Sequence, residues 1–348
     1  LETILIIDFG SQYTQLIARR VRESGVYSIV KSNTISKKDF SQLNPKGIIL
    51  SGGPNSVVNK SKYKLPSFVF SSGIPILGIC YGMQLVADYF GGIVTPSSKK
   101  EFGHATFKIN NPTILFENIK DNDEFNVWMS HSDKVTKNPP GFKKIGSSNN
   151  TKNAAIYNLK KNIYCLQFHP EVTHTKNGQI IINNFVYKVC GCIKTWTTKN
   201  IIKDITKKLQ DQVGKKNIIL ALSGGVDSTV VAALLNKALP RQLTCVFIDT
   251  GLLRKNEVLE VQTNISKNLG IKLITIDAKK IFFKKLKGVS HPEKKRKIIG
   301  ETFIRLFEAH ASKIKNIDYL AQGTIYPDII ESLSKDAKSE IIKSHHNV

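Results

Sequence analysis

Apolar positions in the first part of the chain fall into short blocks separated by stretches of helical spacing. ILIIDF at 4–9 reads as a buried strand. SQYTQLIARRVRESG after it repeats its apolar residues near helical spacing and ends at Gly25. YSIV, GIILSGG and PILGIC are further strand-like blocks, and YGMQLVADYFGG is a helix. This β–α alternation predicts a parallel sheet with helices on both faces. The stretch from about 93 to 165 is richer in Asn, Lys and Thr and carries short alternating strands, as at an antiparallel edge. IYCLQFHPE at 163–171 reads as a last strand and GQIIINNFVYKVCGC as a closing helix, so a first domain is expected over 1–192.

IKTWTTKN at 193–200 reads as a linker, after which the alternation resumes. A helix is expected at 201–212, a strand at 217–222, a helix at 228–239 and a strand at 244–249. A helix at 256–270 and a strand at 272–277 follow. The second domain, 201–348, is therefore also expected to be doubly wound α/β.

Composition changes this picture little. A length of 348 residues suits two domains, and 41% hydrophobic with 22% charged residues is ordinary for a globular protein. No apolar run approaches the roughly 20 residues of a membrane span. The opening LETILIIDFG has no basic leader, so a cytoplasmic location and no membrane partner are expected. The excess of 51 basic over 27 acidic residues, a formal +24, raises the question of nucleic acid. Seven of the 51 are arginines: Arg19, Arg20, Arg22, Arg241, Arg254, Arg296 and Arg305. Bidentate recognition of phosphates and bases favours arginine, and the lysines are spread along the whole chain. Solvated lysine faces are the expectation, with no specific nucleic-acid partner; nonspecific polyanion binding remains the competing reading. Five cysteines without a CxxC pair argue against zinc, and Cys190 and Cys192 are expected to be packed, reduced thiols.

The chemistry starts at Gly78-Ile79-Cys80-Tyr81-Gly82, between a predicted strand and a predicted helix. This is the G-x-nucleophile-x-G form of a nucleophile elbow, whose glycines allow a sharp turn and close packing. A helix amino terminus favours the thiolate of Cys80, and the Tyr81 N–H is a candidate oxyanion donor. Ser51-Gly52-Gly53-Pro54 after GIIL offers the second donor, from Gly52 or Gly53. Downstream, Gln167-Phe168-His169-Pro170-Glu171 carries a base, His169, and a carboxylate, Glu171, to orient it; strand alternation puts both on one face. GICYGMQ, SGGP and QFHPEV together resemble the class I glutamine amidotransferases. The resemblance implies that Cys80 attacks the side-chain amide of glutamine, releasing ammonia and leaving a glutamyl thioester for water to hydrolyse. It also implies that Gln84, Ser130 and His131 hold glutamine. The family's His-Gly-Asp reads His131-Ser132-Asp133 here.

A second site follows the strand NIILAL. Ser223-Gly224-Gly225-Val226-Asp227-Ser228, with Thr229 behind it, is a glycine turn entering a helix, suited to phosphate. Asp227 is a candidate Mg2+ ligand. The loop lacks the GxxxxGK[ST] of a Walker A motif, so γ-phosphate transfer is not the expected reaction. It resembles the ATP pyrophosphatase loop, which implies cleavage of ATP between its α and β phosphates. By the same resemblance Gln322, Gly323 and Thr324 line the nucleotide site and Lys343 neutralises pyrophosphate. The family's Asp-Asn-Gly reads Asp249-Thr250-Gly251 here.

With QGTIYPD and KSHHNV, the whole chain resembles the GMP synthetases. The family's reaction has ATP adenylate xanthosine monophosphate (XMP), after which glutamine-derived ammonia displaces AMP. Glutamine, ATP and XMP are thus the expected partners. The family continues past the last motif into a domain carrying dimer contacts and much of the XMP site. This sequence stops at Val348, inside that motif. A fragment with impaired GMP synthesis is expected, lacking the domain that would make the family's homodimer. Another glutamine-dependent adenylating ligase remains the alternative within enzymes.

Overall fold

The computed structural model describes residues 2–58, 63–119, 124–314 and 316–323, and the chain divides into two compact units between Thr197 and Thr198. In the first unit, the elements in chain order are β1 (Thr3–Asp8), α1 (Thr14–Glu23), β2 (Tyr27–Ser32), α2 (Lys37–Leu43) and β3 (Gly47–Leu50). Then come α3 (Ser67–Ser71), β4 (Ile76–Ile79), α4 (Tyr81–Tyr89), β5 (Ile93–Ile109) and β6 (Glu124–Lys137). β7 (Lys143–Ser148), β8 (Ala155–Asn158), β9 (Ile163–Leu166) and α5 (Gly178–Asn183) complete it, α5 running on into a π turn at Asn184–Val189.

β1 shows why a continuous apolar run forms a central strand. Ile4 and Ile6 enter one core, and Leu5 and Ile7 enter the other, so both faces of the sheet are covered. The sheet order is β2-β1-β3-β4-β9-β8-β7-β5-β6. The first five strands are parallel, and the rest pair antiparallel. Residues from 93 onward do form the antiparallel edge. One expectation needs correction. β9 stops at Leu166, so Gln167–Glu171 is a turn segment rather than strand. Residues 193–197 fall in the first unit: the Trp196 ring lies 4.8 Å from that of Tyr27, and the Trp196 backbone N–H donates to the Gly25 carbonyl.

The second unit contains α6 (Thr198–Val213), β10 (Ile218–Leu222), α7 (Val226–Ala238), β11 (Leu243–Asp249), α8 (Glu257–Gln262) and β12 (Lys272–Asp277). α9 (Lys279–Leu286), α10 (Pro292–Ala311) and β13 (Tyr319–Ala321) follow. All four strands are parallel, in the order β12-β11-β10-β13. Leu220, Leu222, Cys245 and Phe247 face one core, and Ile219, Val246 and Ile248 face the other. The order reverses between β10 and β13. The carboxyl ends of strands at such a reversal open a crevice in which ligands bind.

Candidate active site

Four neighbouring parallel strands, β1, β3, β4 and β9, deliver their carboxyl ends to one place. Phe9–Ser11 follows β1, Ser51–Gly53 follows β3, Cys80 ends β4, and Gln167–Glu171 follows β9. Cys80 is the pivot between β4 and α4, with φ 51° and ψ −104°. A non-glycine residue in that conformation is strained and persists only when its surroundings hold it. Its N–H donates to the Leu166 carbonyl at 2.7 Å, and the next turn is tied by Gly82 N–H to the Ser51 carbonyl. The flanking glycines serve contact rather than unusual backbone angles. A Cβ on Gly82 would lie 2.3 Å from the Leu50 carbonyl oxygen, and one on Gly78 would lie 2.9 Å from that of Gly82. The strained backbone is that of the cysteine itself.

The Cys80 thiol is buried and donates to the Ser130 carbonyl at 3.4 Å. His169 Nδ1 lies 2.8 Å from Glu171 Oε1, both residues being buried. The imidazole is fixed by its backbone, whose N–H donates to the Trp128 carbonyl and whose carbonyl accepts from Thr175 Oγ1. Tyr13 packs edge-on against the ring at 5.0 Å. Burial works against a charge on His169. The Glu171 carboxylate and then Cys80, acting both as charges and as hydrogen-bond partners, outweigh it and hold the imidazole well above the usual histidine range. The other Glu171 oxygen is buried with no protein hydrogen-bond partner among the described residues. Arg20 Nε donates to the Glu171 backbone carbonyl at 2.9 Å.

The Ser51–Gly53 turn abuts this pair. A Cβ on Gly52 would come within 3.0 Å of His169 Cε1, and one on Gly53 within 2.8 Å of the Phe9 carbonyl. Tyr81 is buried against Gly53, and its hydroxyl accepts from Tyr63 N–H. Gln84 is buried and donates to the Asp133 carbonyl at 2.8 Å. Ser130 presents its carbonyl to the thiol, whereas the His131 side chain is buried against Glu101. Tyr13, Arg20 and Glu101 were not anticipated, since none lies in a recognisable motif.

In the second unit Ser223–Gly225 joins β10 to α7 at the order reversal. Gly224 has φ +86°, and its Cα faces Val261, 2.9 Å from where a Cβ would stand. The hydroxyls of Ser223 and Ser228 lie 3.1 Å apart, and those of Ser228 and Thr229 both donate to the Gly225 carbonyl. Val226 and Asp227 are exposed in the first turn of α7. Gly323, just after β13, lies over the same helix end, with the Asp227 carbonyl 3.9 Å from its Cβ position. Gln322 precedes it, while Thr324 and Lys343 lie outside the described residues. A cavity of about 250 Å3 beside Gly224 and Thr229 is lined also by Arg254, Lys255 and Glu257. Thr250 accepts from Leu252 N–H within its own turn, and Asp249 pairs with Lys279 at 3.0 Å. The basic run 294–297 lies exposed in the first turns of α10. Among the described residues no cluster of three or more His, Cys, Asp or Glu side chains is arranged to hold a metal ion. No helix among them is long and apolar enough to cross a membrane.

Comparison with known proteins matches this division. Residues 5–189 fit the family described as glutamine amidotransferase class-I, and residues 197–302 fit NAD synthase. A glutamine-hydrolysing GMP synthase of Cellvibrio japonicus is 51% identical over 354 residues, covering 100% of this chain and 67% of the relative. One from Coxiella burnetii is 52% identical over 352 residues, covering 99% of the chain and 67% of the relative. The chain belongs to the glutamine-hydrolysing GMP synthases. Like those of its family, it joins a class I glutamine amidotransferase domain to an ATP pyrophosphatase domain of the NAD synthase type. The crystal structure of a GMP synthase subunit from Thermoplasma acidophilum matches at 30% identity and a TM-score of 0.48, covering 55% of this chain and 94% of that one.

Proposed function

We propose that this GMP synthase chain hydrolyses glutamine at Cys80 and passes the ammonia to XMP activated by ATP at the Ser223–Thr229 loop. The observation that carries the reading is the strained Cys80 elbow beside a buried His169–Glu171 pair. Cys80 attacks the glutamine amide carbon. The N–H groups of Tyr81 and of the Gly52–Gly53 turn stabilise the oxyanion, and the His169 imidazolium gives its proton to the departing ammonia. Water, deprotonated by the now neutral His169, then hydrolyses the glutamyl thioester, releasing glutamate. Glu171 holds the ring in the tautomer that both steps need. Gln84 and the Ser130–His131 backbone line the place of the bound glutamine.

ATP is taken with its phosphates against the N–H groups opening α7 and the hydroxyls of Ser223, Ser228 and Thr229, with Gln322 and Gly323 alongside. Transfer of AMP to the C2 oxygen of XMP releases pyrophosphate, and ammonia then displaces AMP to give GMP. The single exposed carboxylate of Asp227 fits Mg2+, which is commonly held by one or two carboxylates together with substrate phosphates. When bound there, the ion would neutralise charge building on the leaving pyrophosphate. A cytoplasmic location completes the reading.

The acceptor is tested by pyrophosphate release from ATP. XMP is expected to stimulate it, and the NAD precursor bearing a free carboxylate in place of its amide is not. Stimulation by the NAD precursor alone would replace XMP with the other ligase reading, which the match of 197–302 to NAD synthase makes the specific competitor.

A further inference from the structure

Behind the nucleophile, β5 and β6 lose their regular pairing. Pro96 faces Asp133 and the next pair is Glu101 with His131, so the ladder advances five residues on β5 for two on β6. Directly past this bulge stand two buried ionisable side chains, Glu101 at 7% exposure and His131 at 4%. His131 Nε2 is 3.1 Å from Glu101 Oε2, and its Nδ1 is 3.0 Å from the Asp133 carbonyl oxygen. Nδ1 is the hydrogen-bonded nitrogen of the ring, and Nε2 rests against the carboxylate outside hydrogen-bond geometry. Burial raises the Glu101 pKa, but His131 together with the Thr151 hydroxyl and Asn150 outweighs that and holds the carboxyl below the usual range.

The pair reaches the reaction through the backbone between its members and the nucleophile. The Asp133 carbonyl that accepts from His131 also accepts from Gln84, one turn into α4 from Cys80. The Ser130 carbonyl, next to His131 on β6, accepts from the Cys80 thiol. The segment 130–133 therefore touches the nucleophile at one end and its helix at the other. We propose that Glu101 and His131 are positioning residues: their buried side-chain contact locks this segment so that Ser130 and Gln84 keep the Cys80 thiol in its attacking position. The inference rests on the proposed role of Cys80 and adds two residues that make no contact with the reacting atoms.

Two readouts separate positioning from packing. The first is the side-chain 15N spectrum of His131 in the whole chain at pH 7.5. The ring nitrogen shifts are expected to move in Glu101→Gln, because the carboxylate stands against Nε2 in the parent. The second is alkylation of Cys80 by chloroacetamide per folded molecule, with Cys80→Ala as blank. Glu101→Gln should slow it about tenfold to a hundredfold, as misplacement of a reacting group does. Thr151→Val removes one donor to Glu101 while preserving shape. It should slow alkylation less, and it serves if Glu101→Gln fails to fold. Ring nitrogen shifts that do not move in Glu101→Gln, or unchanged alkylation in variants whose thermal stability alone has dropped, would overturn the proposal. Failure of the Cys80 reading looks different: glutamine turnover would then survive Cys80→Ala whatever Glu101 carries.

Discussion

At the scale of single residues, His169 is the group whose behaviour is most constrained. Its pKa is held above the ordinary value of about 6.5 by Glu171 and Cys80 against the pull of burial. The sign of the linkage follows. The raised pKa contributes stability that is fully present below about 6.5 and is lost as pH rises through the higher folded value. Removing either partner lets the proton leave at lower pH. Glu171→Gln is therefore expected to lower the His169 pKa, read from its ring proton shifts, and to cut kcat for glutamine hydrolysis by about a thousandfold or more. Cys80→Ala should lower the same pKa and flatten the stability profile on the alkaline side of 6.5. An unchanged pKa in both variants would contradict the assignment of its cause. Cys80, His169 and Glu171 were legible in sequence because each lies in a short motif with a chemical reason. The reason offered for the last two was wrong, since they meet through a turn after β9 and not by strand alternation. Glu101 was not legible, because its partners Ser148, Thr151 and His131 come from later parts of the chain.

At the scale of elements, the elbow depends on how closely β3, β4 and α4 approach. The Gly82 Cα faces the Leu50 carbonyl so tightly that a methyl group would stand 2.3 Å from it. Backbone on both sides leaves no flexible atom to yield, so Gly82→Ala must push α4 away from β3. We expect a loss of about 2–3 kcal/mol in urea unfolding, typical of overpacking, together with loss of Cys80 alkylation in the molecules that remain folded. Full reactivity at parental stability would show that the close approach is not needed. Central strands were readable from their apolar runs, and so were α1, α4 and α7. α2 and α3 were not, because neither shows an apolar stripe: each buries one apolar side chain, Phe40 and Val69. α2 is marked instead by its cap, Ser36 accepting from Asp39 N–H, with Asn44 left-handed at its end. Such local chemistry is easily passed over in a chain rich in Ser, Asn and Lys.

At the scale of the whole molecule, two α/β units each present strand ends to a chemically distinct site, one nucleophilic and one shaped for phosphate. The formal charge of +24 was the feature most open to misreading. Its densest run, 294–297, lies in a helix of the nucleotide-binding unit, and family membership gives the chain an enzymatic rather than a polyanion-binding role. Both sites are coupled only if Cys80 makes the first unit a glutaminase. The most direct test of that role is ammonia release from glutamine with ATP and XMP present, comparing the parent chain with Cys80→Ala. The parent is expected to release ammonia and the variant none above background; equal release by the two would show that Cys80 is not the nucleophile.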